Sequence, residues 1–447
     1  MSLSSFSDSL SRDTSSMSAI RLSIKTFGCR VNQYESEMMR DHLAPLYEMS
    51  DEEPDVIILN ACTVTALAER KARQAARRLR RDHPSAHIIL IGCLADAVDQ
   101  GTTRFPDADL LAGNSWKSHV NRVVQRVLSG ASGVMPVSVL DELSVERSHG
   151  PTSRVRAYLK IQDGCNRACT YCRTTQVRGM TRSKSIDAIR TEAQALVTAG
   201  YPEIVLTGID LAQYAINGHR LVDAVRALAS INGLLRLRMA SINPSGITPE
   251  LIEVCASRGV VCPHFHIPLQ SGDRHILAAM QRGYNPDLYL ETIAAIRYVI
   301  PHATFGTDII VGFPGEDETA FAHTCDLLDI VGYSNLHAFR YSPRRGTAAA
   351  GLPNQVPPEI KRQRSEALIL RWQDQLALVL DNRIGSTQHV LVEEYRDNTW
   401  RGYTNDYVYV NFPSNREIPV GSVRSVHITS RTGATLKGVD DHRSDTS

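Results

Sequence analysis

Between residues 21 and 145, short β-branched runs alternate with stretches of helical period, the pattern of a parallel sheet joined by crossover helices. Strands are predicted at Leu22–Thr26, Val56–Asn60 and His87–Ile91, and a helix at Leu67–Arg81. The alternation then lapses into a loose stretch with Gly133, Pro136, Gly150 and Pro151, which reads as a linker. A second alternation starts near Arg156. Its strands are predicted at Ala157–Gln162, Ile204–Thr207, Leu235–Ala240, His264–Pro268, Phe305–Val311 and Leu336–Tyr341. Helical patterns fall between them, notably Ser185–Ala199, Asp273–Gln281 and Asp317–Ile330. Six βα units are too few to close an eight-stranded barrel; they predict an open, partial barrel with a lateral mouth suited to a macromolecule. A helix over about Pro358–Leu380 leads into period-two strands at Thr387–Glu393, Tyr407–Phe412 and Ser422–Thr429, a small all-β barrel. The fold class is therefore α/β with an all-β appendage. It divides into a tail (1–20), an α/β domain (21–130), a linker (131–153), a partial barrel (154–383), a β-barrel (384–440) and a closing tail (441–447).

Composition narrows the function only slightly. A chain of 447 residues with 43% hydrophobic content can bury conventional cores. Its formal net charge of +1 does not by itself call for nucleic acid. The Ser-rich start carries Asp8 and Asp13 and no apolar run, and the longest apolar run, Ile88–Ala95, is too short to span a membrane. Together with nine cysteines in no disulfide framework, this predicts a cytoplasmic protein.

Six of those cysteines carry the chemistry. Cys165, Cys169 and Cys172 occupy eight residues as C-x₃-C-x₂-C, directly after the first barrel strand. A [4Fe–4S] cluster normally takes four thiolates, so three leave one iron open to a small molecule. Zinc would want a fourth ligand, and the nearest histidines, His149 and His219, form no ligand pair. Cys29, Cys62 and Cys93 each follow a strand of the first sheet. Ligands of open α/β sheets sit beyond the carboxyl ends of the strands, so these three predict a second cluster with an open iron. Their bland reading is small residues filling turns. Cys255, Cys262 and Cys325 have no ligand spacing and read as inert. On the helix at 67–81, Arg73, Arg77 and Arg80 belong to a basic row that would neutralise phosphates or merely be solvated. The last segment carries Tyr395, Trp400, Tyr403, Tyr407, Tyr409 and Phe412, aromatics that either stack bases or form the barrel core.

The C-x₃-C-x₂-C spacing, with Tyr171 before the last cysteine, resembles the radical S-adenosylmethionine enzymes. The wider pattern resembles the methylthiotransferases over about residues 21–440. The matching stretches are Thr26-Phe-Gly-Cys-Arg-Val-Asn32, Asn60-Ala-Cys-Thr-Val-Thr65, Ile91-Gly-Cys93, Leu206-Thr-Gly-Ile-Asp210, His266-Ile-Pro-Leu-Gln-Ser-Gly272, Asp308-Ile-Ile-Val-Gly-Phe-Pro-Gly-Glu316 and Phe339-Arg-Tyr-Ser-Pro343. The last barrel is similar to the TRAM domain, an RNA-binding module. Gly-Cys29-Arg-Val-Asn with Cys62-Thr-Val-Thr is similar to the subclass acting on threonylcarbamoyl-adenosine beside the tRNA anticodon. Other subclasses act on isopentenyl-adenosine or on a ribosomal-protein aspartate, and an iron–sulfur sensor of RNA is a non-catalytic rival. One departure is Thr175, where the family commonly has proline.

The resemblance implies a radical SAM barrel, two [4Fe–4S] clusters and S-adenosylmethionine used twice. One molecule methylates a sulfur at the Cys29/Cys62/Cys93 cluster; another is cleaved at the Cys165/Cys169/Cys172 cluster to a radical that activates carbon 2 of the adenine. The partners implied are a tRNA anticodon stem-loop and an electron donor such as flavodoxin or ferredoxin, with no membrane. Cofactor contacts are expected from Thr207 and Gly208 after the second barrel strand, Ser241 after the third and Gln270 after the fourth. Each is equally an ordinary strand-end residue.

Overall fold

The computed structural model describes residues 19–101, 104–135, 155–414 and 416–441. The expected tail 1–20, linker 131–153 and closing tail 441–447 lie wholly or largely outside them.

The first unit is a six-stranded parallel sheet in the order β2-β1-β3-β4-β5-β6. The strands are β1 (Arg21–Phe27), β2 (Glu48–Met49), β3 (Val56–Ala61), β4 (His87–Ile91), β5 (Leu110–Ala112) and β6 (Gly133–Val134). β3 is buried along its whole length, as parallel strands covered on both faces must be. Helix α1 (Arg30–Leu43) packs with the Leu22 and Val56 side of the sheet, and α2 (Ala66–Asp82) with the Ile57 and Ile88 side. The Thr65 side chain caps α2 by accepting from the Ala68 N–H at 3.2 Å.

The second unit is the partial barrel. Its strands are β7 (Arg156–Lys160), β8 (Glu203–Thr207), β9 (Arg236–Met239), β10 (His264–His266), β11 (Thr304–Val311) and β12 (Asn335–Arg340). They form two parallel three-stranded sheets, β9-β8-β7 and β10-β11-β12. Backbone bonds from Leu237 to Val260, from Cys262 to Leu237 and from Ile242 to His266 stitch the two into one wall. No ladder joins β12 back to β7 among the described residues, so that side is open. Alternate residues such as Leu159, Leu206, Leu237, Phe265, Ile309 and Leu336 pack outward into one core shared with the surrounding helices. Their neighbours along each strand face the lumen.

Helix Pro358–Asp381 leads to a closed five-stranded barrel in the order β13-β14-β15-β17-β16. These are β13 (Thr387–Arg396), β14 (Thr399–Thr404), β15 (Tyr409–Phe412), β16 (Val423–Thr432) and β17 (Thr435–Asp440). Its β14–β15 turn plugs the floor of the partial barrel. Arg236 donates to the carbonyls of Tyr403 and His389 at 2.8 Å, Arg238 donates to that of Asn405 at 3.0 Å, and the Thr304 hydroxyl donates to that of Asp406 at 2.6 Å. Tyr407, at φ 70°, lays its ring 4.5 Å from the Arg238 guanidinium and 5.3 Å from the His264 ring. Among the described residues no helix is long and apolar enough to cross a membrane.

Candidate active site

β1, β3 and β4 are neighbours in register, Thr26 against Asn60 and Asn60 against Ile91, so the loops after them lie side by side. Those loops carry Cys29, Cys62 and Cys93. The approach is close: a side-chain carbon at Gly28 would lie 2.8 Å from the Cys62 Cβ. Each sulfur has a polar neighbour. Cys29 Sγ lies 3.3 Å from Asn32 Oδ1, Cys62 Sγ accepts from the Val64 N–H at 3.3 Å, and Cys93 Sγ accepts from Asn114 Nδ2 at 3.4 Å. Burial, reinforced by Cys93 and Cys29, pushes the Cys62 thiol up to about 12, and burial also raises Cys93. Thiolates are therefore costly here without a cation to hold them, and iron deprotonates the thiols it binds. The donor set fits such a centre.

Cys165, Cys169 and Cys172 lie on the loop after β7, at the carboxyl end of the barrel. Cys165 Sγ accepts from Gln213 Nε2 at 3.1 Å and from the Arg167 N–H at 3.4 Å. Cys169 Sγ accepts from Arg282 Nη1 at 3.2 Å, and Cys172 Sγ from the Thr174 N–H at 3.4 Å. Burial raises Cys165 and Cys172. The loop is pinned by the Thr170 N–H to the Met280 carbonyl at 3.1 Å and by the Ala349 N–H to the Thr170 carbonyl at 2.9 Å. Thr175, the departure from the usual proline, sits in the short helix Thr174–Arg178 and accepts from the Gly179 N–H at 3.1 Å. Sequence reasoning missed Gln213, Arg282 and Asn114, polar residues remote in sequence from the sulfurs they contact.

The residues expected to hold cofactor rise on the same rim. Thr207 ends β8, and a side-chain carbon at Gly208 would lie 2.9 Å from Gln162 Oε1. That oxygen instead accepts from the N–H groups of Ile209 and Asp210 at 2.9 Å each. Ser241 is half-buried just beyond β9. Gln270 adopts φ 67°, donates its N–H to the Asp308 carbonyl at 2.8 Å and accepts from the Ile310 N–H at 2.9 Å. Among the described residues its buried Oε1 has no hydrogen-bond partner.

The two cysteine loops meet across the junction of the first two units. Cys93 and Ala97 pack on Val177, and Asn114 Nδ2 donates to the Val177 carbonyl at 2.9 Å. Arg344 donates to the Thr63 carbonyl at 2.8 Å and pairs with Glu69. Beneath them Glu35 of α1 accepts from Lys160 at 3.0 Å, from Arg178 at 2.8 and 3.1 Å, and from Lys117. Burial alone would raise the Glu35 carboxyl, but Arg178, Lys117 and Lys160 outweigh it and hold it well below the carboxylate range.

Residues 159–328 match the radical SAM superfamily, and residues 21–113 match the uncharacterized protein family UPF0004. The threonylcarbamoyladenosine tRNA methylthiotransferase MtaB of Thermotoga maritima is 34% identical, with 91% of this chain and 94% of that protein aligned. The tRNA-2-methylthio-N(6)-dimethylallyladenosine synthase of Carboxydothermus hydrogenoformans is 35% identical, covering 93% and 98%. The chain belongs to the radical S-adenosylmethionine methylthiotransferases. The radical S-adenosylmethionine methyltransferase TsrM from Kitasatospora setae shares the fold at TM-score 0.56 and 12% identity, over 74% of this chain and 75% of that one. Membership makes this methylthiotransferase an enzyme that uses a [4Fe–4S] cluster and S-adenosylmethionine.

The arginines on the basic helix of this methylthiotransferase differ in their surroundings. Arg73 pairs with Glu69 at 2.9 Å and stacks over Phe105, and Arg80 pairs with Asp109 at 2.6 Å. Both are paired within their own domain, with 23% and 35% of their side chains exposed. Arg77 is exposed beside Asp107 at 3.6 Å, and the outward row is Arg70, Lys71, Arg77, Arg78 and Arg81. Side-chain exposure around a helix follows its neighbours, which a single sequence does not reveal. Of the aromatics, Phe412 and Trp400 are barrel core, Tyr395 is exposed, and Tyr403, Tyr407 and Tyr409 cluster against the partial barrel.

Proposed function

We propose that this methylthiotransferase adds a methylthio group to carbon 2 of threonylcarbamoyl-adenosine in the anticodon stem-loop of tRNA. The observation carrying the reading is the pair of cysteine triads facing one junction, each with three thiols and no fourth. Cys165, Cys169 and Cys172 would hold the radical cluster, and Cys29, Cys62 and Cys93 a second one. When bound, the clusters and S-adenosylmethionine supply a carbon-centred radical and a methylated sulfur. The chain's own work is placement. Gln270 Oε1, Thr207, Gly208 and Ser241 line the rim around the cofactor, and Gln213 and Arg282 donate to the cluster sulfurs.

The substrate assignment is supported by Gly-Cys29-Arg-Val-Asn with Cys62-Thr-Val-Thr and by relatives named for threonylcarbamoyladenosine. Relatives named for dimethylallyladenosine match as closely, which makes that base the second reading. The exposed row on α2 and the C-terminal barrel would hold the RNA backbone, in a cytoplasmic enzyme reduced by a flavodoxin or ferredoxin. Nucleoside mass spectrometry of tRNA from a strain lacking the gene tests the reading. Methylthio-threonylcarbamoyl-adenosine should vanish and return on complementation. Its persistence, with loss of the methylthio-dimethylallyl nucleoside instead, would overturn the assignment.

A further inference from the structure

The lumen wall holds three titratable side chains that the reading above does not use. His266 on β10, Asp308 on β11 and His337 on β12 face the lumen, because their strand neighbours Phe265, Ile309, Leu336 and Ala338 pack outward. Asp308 Oδ1 lies 3.0 Å from His266 Nε2 and 2.9 Å from His337 Nδ1. A side-chain carbon at Gly306 would lie 2.8 Å from His266 Nδ1, so only glycine leaves that ring its place.

The height of this trio in the lumen is legible strand by strand. One lumen position below it, His264 touches Tyr407 of the floor. One position above Asp308, about 6.6 Å along the strand, Ile310 joins the apolar cluster that includes Tyr171 of the cysteine loop. The trio thus lies between the floor and the radical centre, at the depth a substrate base would reach. β12 is the open edge, where His337 keeps 49% of its side chain exposed and Phe339 is 40% exposed. Their rings meet edge-on at 6.3 Å.

Burial pushes the Asp308 carboxyl up, but the hydrogen bonds from His266 and His337 outweigh it and hold it below the usual carboxylate range. An ionised Asp308 accepts from His337 Nδ1 and fixes that ring against it. With Nδ1 engaged on Asp308, Nε2 is the ring atom left for the lumen, and it donates to a ligand when the ring carries its second proton. An apolar arm on the base would leave that donor unpaired, whereas an anionic arm would meet a charge-assisted partner.

We propose that His337, seated on Asp308 and His266, is the subsite that binds the carboxylate of an amino-acid arm on the substrate base. The inference rests on the threonylcarbamoyl reading and gives it a specificity residue; Asp308 and His266 are positioning residues. His337 lies between Asp308 and the mouth, so the arm's carboxylate meets the imidazole before it meets another anion.

The test compares kcat/KM on three anticodon stem-loop RNAs, carrying threonylcarbamoyl-adenosine, the same arm ending in a carboxamide, or dimethylallyl-adenosine. Wild type should prefer carboxylate over carboxamide by about ten- to a hundredfold, the range of a charge-assisted hydrogen bond. In His337→Phe the ratio should fall to near one, with the loss confined to the carboxylate substrate. A ratio on one enzyme sample cancels any misfolded fraction. A wild-type preference that survives His337→Phe overturns the subsite and leaves the substrate reading standing. A wild type that prefers the dimethylallyl arm overturns both. A non-iron metal that copurifies with wild type and is lost from His337→Phe overturns the proposal in favour of a two-histidine, one-carboxylate metal site, since the three ligating atoms lie within 4.8 Å of one another.

Discussion

Arg282 is where a single residue bears most directly on the radical chemistry. It is buried, stacks on Tyr284 at 5.2 Å and points Nη1 at the sulfur of Cys169. A cation donating to a ligand sulfur favours the more negative, reduced state of a cluster. Arg282→Gln should therefore retain iron yet lower the reduction potential by roughly 60 mV, the one-electron equivalent of a ~1.4 kcal/mol charge-assisted hydrogen bond. A redox titration followed by electron paramagnetic resonance reads this; an unmoved potential would make Arg282 a packing residue only. Nothing in the sequence announced Arg282, Gln213 or Asn114, whereas the cysteines declared themselves. Spacing in sequence reveals ligands on one loop, and repetition at strand ends reveals ligands on three, but a donor from a distant loop or 3₁₀ turn obeys neither rule. Cys255 and Cys262, read as inert, are buried, and burial pushes their thiols up to about 12 and about 11.

Among the elements, α1 and β7 form the most exacting contact. Glu35 is 1% exposed and meets three cations, two of them from the partial barrel. Glu35→Gln leaves those cations underpaired, and removing one partner of a buried ion pair costs about 3–5 kcal/mol. The sign with pH follows from the lowered carboxyl: its stabilisation is full above the unfolded value of about 4.3 and is lost as pH falls through the folded one. Calorimetry under anaerobic conditions should show the variant melting well below wild type at pH 7, with the gap narrowing as pH falls below about 4.3. A constant gap down to pH 3 would contradict the ion-pair account. Three strands of the first unit and all six of the second were legible to within one or two residues, because buried parallel strands are continuous apolar runs with turns at each end, whereas β2, β5 and β6, two or three residues long, were not. Thr399–Thr404 and Thr435–Asp440 of the last barrel were not. Their Gly, Arg, Lys and Asp residues oppose strand propensity, and closure of the barrel overrides it. The insertion of Tyr407 into the barrel floor also left no mark in the sequence, since a positive-φ tyrosine is explained only by the arginines it meets.

At the scale of the whole molecule, the proposal is that one chain brings two three-cysteine sites, each able to hold a cluster, to a common junction. The first sheet supplies three strand ends, the partial barrel supplies one loop, and the Glu35 lock with Val177 on Cys93 fixes them against each other. Reconstituted protein should hold about eight irons per chain, and Cys→Ala replacement of either triad should remove half. The decisive measurement is an anaerobic assay that follows 5′-deoxyadenosine and methylthio nucleoside side by side. With Cys29, Cys62 and Cys93 all changed to Ala, 5′-deoxyadenosine should still form under a strong reductant while no methylthio product appears. With Cys165, Cys169 and Cys172 changed, neither should form. Methylthiolated tRNA from the first variant would contradict the account, because sulfur delivery would then not pass through the N-terminal triad.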